Sequence, residues 1–134
     1  MMKIGKYDIN LLYNGYAHFE LRERLGGDPF SALFPYKLDE DDKKEYEPLT
    51  IERFENVCTA LSIMCTQYEL QRRTEGYDHQ DIPSLSYIKT HLQVNQVIEA
   101  TAAIMNAMVE GLHQDNEPEE VDLGLAELQK KTEE

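Results

Sequence analysis

The 134-residue chain is poor in the features that mark secreted and membrane proteins. Its two cysteines, Cys58 and Cys65, lie in one helical stretch about 10 Å apart along the axis, too far for a disulfide. No run of about 18 apolar residues is present, so we expect no membrane-spanning helix. The N-terminal residues also lack the apolar stretch of a signal peptide. These absences favour a reduced, cytoplasmic protein.

Basic residues are scarce, with 13 Lys and Arg against 26 Asp and Glu and a formal net charge of −13. Most of the excess lies in residues 35–48 and 110–134, which leaves the rest of the chain with a nearly balanced charge. A basic surface is required for binding phosphates, so nucleic acid is not an expected partner. A DNA mimic would carry its acids along an ordered face, whereas here they cluster in a loop and a tail.

Motifs for catalysis or cofactor binding are missing as well. The four histidines are scattered, and there is no P-loop, no G-x-G-x-x-G, no G-x-S-x-G and no H-E-x-x-H. Asp78-His79-Gln80-Asp81 is compatible with a weak metal site, but a solvated polar turn is the favoured interpretation. We therefore predict no catalytic, cofactor-binding or metal-ligating residues, and a protein that binds another protein and is not an enzyme.

Helical periodicity is the main signal that the sequence does contain. It predicts a helix over 13–25, a short apolar turn after Asp28-Pro29, and a long helix from Thr50 to Gly76. Residues 35–48 are predicted to be a charged, solvated loop, and residues 3–9 a short extended arm.

Periodicity also predicts which faces of the helices are buried. In the first helix Tyr13, Tyr16, Ala17, Leu21 and Leu25 gather on one side. The core face of the long helix is predicted to comprise Ile51, Phe54, Cys58, Leu61, Cys65 and Tyr68, widened by Val57, Ile63 and Met64.

The stretch that begins at the predicted cap Ser84 carries two apolar stripes that point in nearly opposite directions. Leu85, Ile88 and Leu92 form one of them. The second comprises Val94, Val97, Ile98, Thr101, Ile104, Met105, Met108 and Leu112. A break near Gln93 is favoured over one long helix with two differently buried ends. Gly111, near the end of the last body helix, supports its termination there.

The final residues form a separate amphipathic segment after the polar break Gln114–Pro118. Val121, Leu125 and Leu128 recur at helical spacing, with acids in the first turn and two lysines in the last. An isolated helix this short is marginal in water, so it needs a surface. That surface is a client, a second copy, or the body of the protein itself.

These patterns predict an all-α fold, a small helical bundle of about four to five helices with an acidic loop and a flexible or docked C-terminal helix. The predicted division is a helical domain over 1–113 followed by an acidic linker and a short amphipathic helix over 114–134. We assign Val121, Leu125 and Leu128 as candidate partner-binding residues.

Several segments resemble the tail assembly chaperones of long-tailed, siphovirus-type bacteriophages and prophages of Gram-positive bacteria. Leu12-Tyr-Asn-Gly-Tyr-Ala-His-Phe-Glu-Leu-Arg-Glu-Arg-Leu-Gly26 is similar to their opening helix, with an aromatic-Asn start and a closing Leu-Gly. The Leu33-Phe34 turn, the helix from Thr50 and the ending Val121-Asp-Leu-Gly-Leu-Ala-Glu-Leu128 follow the same plan.

The resemblance implies a binding protein of the infected bacterial cytoplasm that is not part of the mature virion. Such chaperones bind the long helical tape measure protein, keep it soluble and help tail tube subunits assemble around it. Many have a longer form made by a programmed frameshift, and this chain would then be the short form. The implied partners are the tape measure protein and the tail tube protein, with a homo-oligomer as a further option.

Two other functions stay open on the residues alone. A small acidic regulatory factor of a mobile element, such as an antirepressor or inhibitor, would bind a basic protein with strong salt sensitivity. A small helical enzyme with a metal at His79 would carry a stoichiometric ion when purified.

Overall fold

The structure, a computed structural model, describes residues 2–33, 36–38, 44–46 and 49–114. It is mostly helical, and the prediction of a small all-α fold is confirmed. The helices are α1 (Gly15–Leu25), α2 (Pro29–Leu33), α3 (Ile51–Thr74), α4 (Leu85–His91) and α5 (Val97–Gln114), with a 3-10 helix at Val94–Gln96.

Two small antiparallel hairpins accompany the helices, and both correct the sequence-based prediction. Strands β1 (Met2–Ile4) and β2 (Tyr7–Ile9) pair, so residues 3–9 belong to a closed hairpin and not to an extended arm. Strands β3 (Tyr36–Leu38) and β4 (Lys44–Tyr46) pair within the segment predicted to be a loop. Strands of three residues are too short to give a clear alternating pattern against the surrounding charge.

The first hairpin is part of the core, and its turn packs against Tyr87 of α4. Ile4 is fully buried and Ile9 nearly so. Gly5 has a φ of +59°, and a Cβ there would lie 2.1 Å from the Tyr87 hydroxyl. That hydroxyl accepts a hydrogen bond of 3.1 Å from the backbone N–H of Lys6. The N-terminal residues are therefore fixed against the helices.

Helix α3 is the centre of the fold, with α1, α2, α4 and α5 all in contact with it. The predicted cap is confirmed, since Thr50 Oγ1 accepts from the Arg53 N–H at 3.1 Å. Its buried face includes Val57, Leu61 and Met64. The predicted face is wrong at its start, where Ile51 is 72% exposed.

Helix α1 begins and ends where the sequence places it, within two residues. Asn14 caps it by accepting from the Ala17 N–H at 2.9 Å, and Gly26 ends it in the left-handed conformation. Ala17 and Leu21 face α3 and are fully buried. Tyr16, predicted to belong to this face, is 62% exposed, because one helix contacts only a narrow part of its neighbour.

The predicted break between the last two helices is confirmed. Ser84 caps α4 through a 3.1 Å hydrogen bond from the Tyr87 N–H. Helix α4 ends at His91, and Gln93 has an extended backbone with ψ of 151°. Ile88 and Leu92 are buried on the side of the chain before the break, and Val97 is buried after it. The reversal of the apolar stripe thus reflects two separate helices that both contact α3 and are joined by a break at Gln93.

Candidate protein-binding surface

One side of α5 is an apolar strip open to solvent, which we call the α5 stripe. It comprises Ile98, Ala102, Val109 and Leu112, which are exposed, the partly buried Met105, and Val94 of the preceding 3-10 helix. Ile98 is 83% exposed and Val94 is 72% exposed. The positions step by three or four residues, so the side chains form one continuous row. A long row of exposed apolar side chains is the kind of surface that binds another protein.

The adjoining side of α5 is buried in the core of the protein. Ala100, Ile104 and Met108 are completely buried, and Thr101 is nearly so. The single stripe predicted from the sequence is therefore two neighbouring rows, one in the core and one in solvent. The body of the protein covers only part of the apolar circumference of α5, since the helix lies at its edge against α3 and β1.

The start of the α5 stripe is fixed by hydrogen bonds around Gln96. Its Oε1 accepts from the Gln93 N–H at 2.9 Å, which caps the entry into the helix. Its Nε2 donates to the carbonyl of Lys3 at 2.9 Å, which joins the helix start to β1. Both polar atoms of the Gln96 side chain are hydrogen-bonded, so the turn that carries Val94 and Ile98 is held in place.

The other end of α5 lies directly against the segment before α1. A Cβ on Gly111 would come within 2.3 Å of the Tyr13 carbonyl oxygen, so only glycine fits here. Gly111 lies near the end of the helix, as predicted, since α5 ends three residues later at Gln114. The glycine serves close packing between α5 and Tyr13, whose side chain is buried.

A pocket of about 330 Å³ adjoins this end of the α5 stripe, with Leu112 and Phe19 both in its lining. Phe19 is 67% exposed, so it extends the apolar surface beyond α5. Tyr13 and His18 also line the pocket, and the Tyr13 hydroxyl pairs with His18 Nδ1. Burial, and then the charge of Asp28, raise the pKa of Tyr13, which keeps that hydroxyl protonated. The pocket can therefore receive an apolar side chain beside the Tyr13 hydroxyl.

A second groove between α1 and α3 is more polar. Tyr16 and Leu70 are exposed there, but Glu20 and Arg24 line the same groove and form an ion pair at 3.5 Å. Charged groups within an interface must be desolvated when a partner binds. The α5 stripe is thus the better candidate for binding an apolar partner.

The two thiols are structural. Cys58 and Cys65 are both buried within α3. Burial raises the pKa of Cys58 to about 11 and that of Cys65 above its ordinary value. A thiol with a raised pKa is a poor nucleophile, as the sequence-based interpretation of small core residues implies.

The most strongly perturbed acid is Glu69, which sequence reasoning missed. It is 3% exposed at the end of α3. Its carboxylate accepts from the backbone N–H of Gln80 at 2.8 Å and from the guanidinium groups of Arg73 and Arg72 at 2.9 Å each. These hydrogen bonds, led by that of Gln80, lower the pKa of Glu69 to about 2. All of its partners are within the fold, so Glu69 holds the 77–83 loop against α3.

The loop that contains His79 is exposed and shows no ligand cluster. Asp78, His79 and Asp81 all lie in solvent. Across residues 2–33 and 49–114, no group of three His, Cys, Asp or Glu is placed to hold a metal ion. None of the helices in the described parts of the chain combines the length and the apolar character needed to cross a membrane.

The predicted partner-binding residues Val121, Leu125 and Leu128 lie outside the described residues, and so does most of the predicted 114–134 segment. Their assignment therefore stays a prediction. The α5 stripe, which the structure adds, ends at Leu112, nine residues before Val121 in the chain.

No protein-family model, curated protein or solved structure matches the chain. The resemblance to tail assembly chaperones thus remains a sequence-based prediction, to be tested by experiment.

Proposed function

We propose that the protein is an assembly chaperone that binds a long amphipathic helix of its client along the α5 stripe. The observation that carries the proposal is this row of exposed apolar side chains on an otherwise well-packed helical fold. Following the resemblance, the client is the tape measure protein of a phage tail. The chaperone keeps it soluble and helps tail tube subunits assemble around it.

The shape of the α5 stripe suits a helical client. From Ile98 to Leu112 it is about 21 Å long, the length of roughly four helical turns. An amphipathic helix docks on such a row through apolar anchors every three or four residues. Met105 in the middle is flexible and polarizable, which helps one surface fit a succession of similar client sequences.

The charge of the chain supports its proposed role in keeping the client soluble. The stripe itself carries no charged residue, while the chain as a whole has a formal net charge of −13. Net charge keeps a protein and its complexes apart in solution. The α5 stripe can therefore cover the apolar face of a client, while the negative charge of the chain prevents the complexes from aggregating.

Coexpression with the tape measure protein tests the proposal. We expect the wild-type chain to yield a soluble complex, and a variant carrying Ile98→Asp and Val109→Asp to lose it. Asn106→Asp is the matched control, since it adds a charge to an exposed position of α5 outside the stripe. A tape measure protein that is equally insoluble with and without the chain would contradict the proposal.

Salt dependence separates this function from the alternative of an acidic regulatory factor. Binding through the apolar stripe is expected to persist when the ionic strength rises to about 1 M, where the screening length falls to about 3 Å. Binding of a basic partner through the acidic segments would be lost over the same range. Client binding that persists in high salt and is lost in the variant with Ile98→Asp and Val109→Asp supports the chaperone function.

A further inference from the structure

The α5 stripe is exposed on both sides of the partly buried Met105, and the chain continues directly from its end. Helix α5 ends at Gln114, and 20 residues follow it. Leu112, the last residue of the stripe, is half exposed only two residues before that point. The following segment is therefore covalently tethered next to the end of the stripe.

The sequence of that segment has the pattern of a helix made to lie on a surface. Val121, Leu125 and Leu128 fall on one side at helical spacing. The acids Glu119, Glu120, Asp122 and Glu127 fall on the other sides. Gly124 lowers the helix propensity of the segment by about 1 kcal/mol relative to alanine, so it depends on a docking surface for its stability.

The connection has the length and composition of a turn between antiparallel helices. Four residues, Asp115-Asn-Glu-Pro118, separate α5 from the segment, and such helical hairpins use connections of about two to five residues. Asp and Asn favour turns, and Pro is favoured in the first turn of a helix. In that arrangement Val121, Leu125 and Leu128 come level with Leu112, Val109 and Met105 respectively.

We propose that residues 119–134 form a helix that docks antiparallel on the α5 stripe of the same chain. The occupant is the chain's own C-terminal segment and not a second copy, because a short connection gives it an effective concentration on the order of millimolar. A second copy binding through the same row has to overcome the loss of translational freedom at ordinary protein concentrations.

Docking of this segment gives the surface a covered and an open state. On the proposed function, a client helix competes with residues 119–134 for the same apolar row. Residues 119–134 then cover the α5 stripe until a client helix with a longer or more apolar face displaces them. This consequence rests on the proposed function, whereas the intramolecular docking itself needs no client.

The absence of tryptophan from the chain makes a direct test possible. In the full-length protein, Leu125→Trp places an indole on the docking side, and Leu123→Trp places one on the opposite side as a matched control. We expect Leu125→Trp to show blue-shifted emission and protection from acrylamide relative to Leu123→Trp. Adding Val109→Asp should abolish this difference, whereas adding Asn106→Asp should leave it intact.

Three outcomes would overturn the proposal. The two indoles can be equally exposed, the Leu125→Trp signal can survive Val109→Asp, or the blue shift can disappear on dilution, which would identify a second copy as the occupant. Val109→Ser, which removes apolar area without adding a charge, repeats the test if the aspartate variant unfolds. The experiment contains no client, so its failure is distinct from a failure of client binding.

Discussion

Replacing Gly111 with alanine tests whether α5 lies against Tyr13 as the structure has it. At an open position inside a helix, alanine is more favourable than glycine by about 1 kcal/mol. At Gly111 the new Cβ would lie 2.3 Å from the Tyr13 carbonyl oxygen and 3.1 Å from the Tyr13 Cβ. An ordinary C···O contact is at least about 3.3 Å, so α5 and this backbone segment would have to separate by roughly 1 Å.

The cost of that separation exceeds the gain in helix propensity. Overpacking a tight contact costs about 1–3 kcal/mol, and the upper end applies because the obstacle is backbone and not a side chain that can rotate. Subtracting the gain of about 1 kcal/mol leaves a net loss of about 2 kcal/mol. For a chain of this size that corresponds to a melting temperature lower by roughly 8 °C.

Urea and thermal unfolding followed by far-UV circular dichroism measure this difference. Gly15→Ala is the matched control, because a Cβ at that helical glycine meets nothing within 4 Å. We expect no loss of stability from Gly15→Ala. A Gly111→Ala variant as stable as the wild type would refute the close contact between α5 and Tyr13, and with it the position of the stripe's end.

Three further predictions follow from burial. Because the pKa of Glu69 is lowered to about 2 from an ordinary 4.5, its contribution to stability is present above pH 4.5 and disappears as the pH falls toward 2. Glu69→Gln should therefore lower the urea midpoint at neutral pH, with a difference that shrinks at about pH 3. Cys58 and Cys65 should react with a thiol reagent only on unfolding, and native reaction at the unfolded rate would contradict their burial. Ile104→Ala should cost about 2–5 kcal/mol of unfolding free energy, whereas Asn106→Ala, at an exposed position of the same helix outside the stripe, should change it by no more than about 0.5 kcal/mol, and equal losses would contradict the burial of Ile104.

The glutamate measurement has its own control within the same loop. Asp81→Asn changes an exposed carboxylate near Gln80 and should leave the pH dependence of stability as it is in the wild type. If Glu69→Gln keeps the full acid dependence, another group is responsible, and the hydrogen bonds to Glu69 do not control it.

Local signals in the sequence were sufficient for much of the helical framework. Thr50, Ser84 and the glycine pair after Leu25 mark helix ends because capping depends on residues within one turn. The break at Gln93 was predictable since a reversal of the apolar stripe cannot be accommodated by one straight helix with one neighbour. The three-residue strands of the two hairpins were not predictable, because their pairing partners supply most of the signal.

For the candidate binding surface, too, some features follow from the sequence and others only from the tertiary structure. The sequence by itself determined that α5 is apolar over a wide face and that a second amphipathic segment follows it after four polar residues. Only the tertiary structure decided that Ile104 and Met108 are core while Ile98 and Val109 face solvent, and that Gly111 packs directly against Tyr13. Periodicity reports that a side chain is apolar, whereas its burial depends on which neighbouring elements reach it, and α5 lies at the edge of the fold.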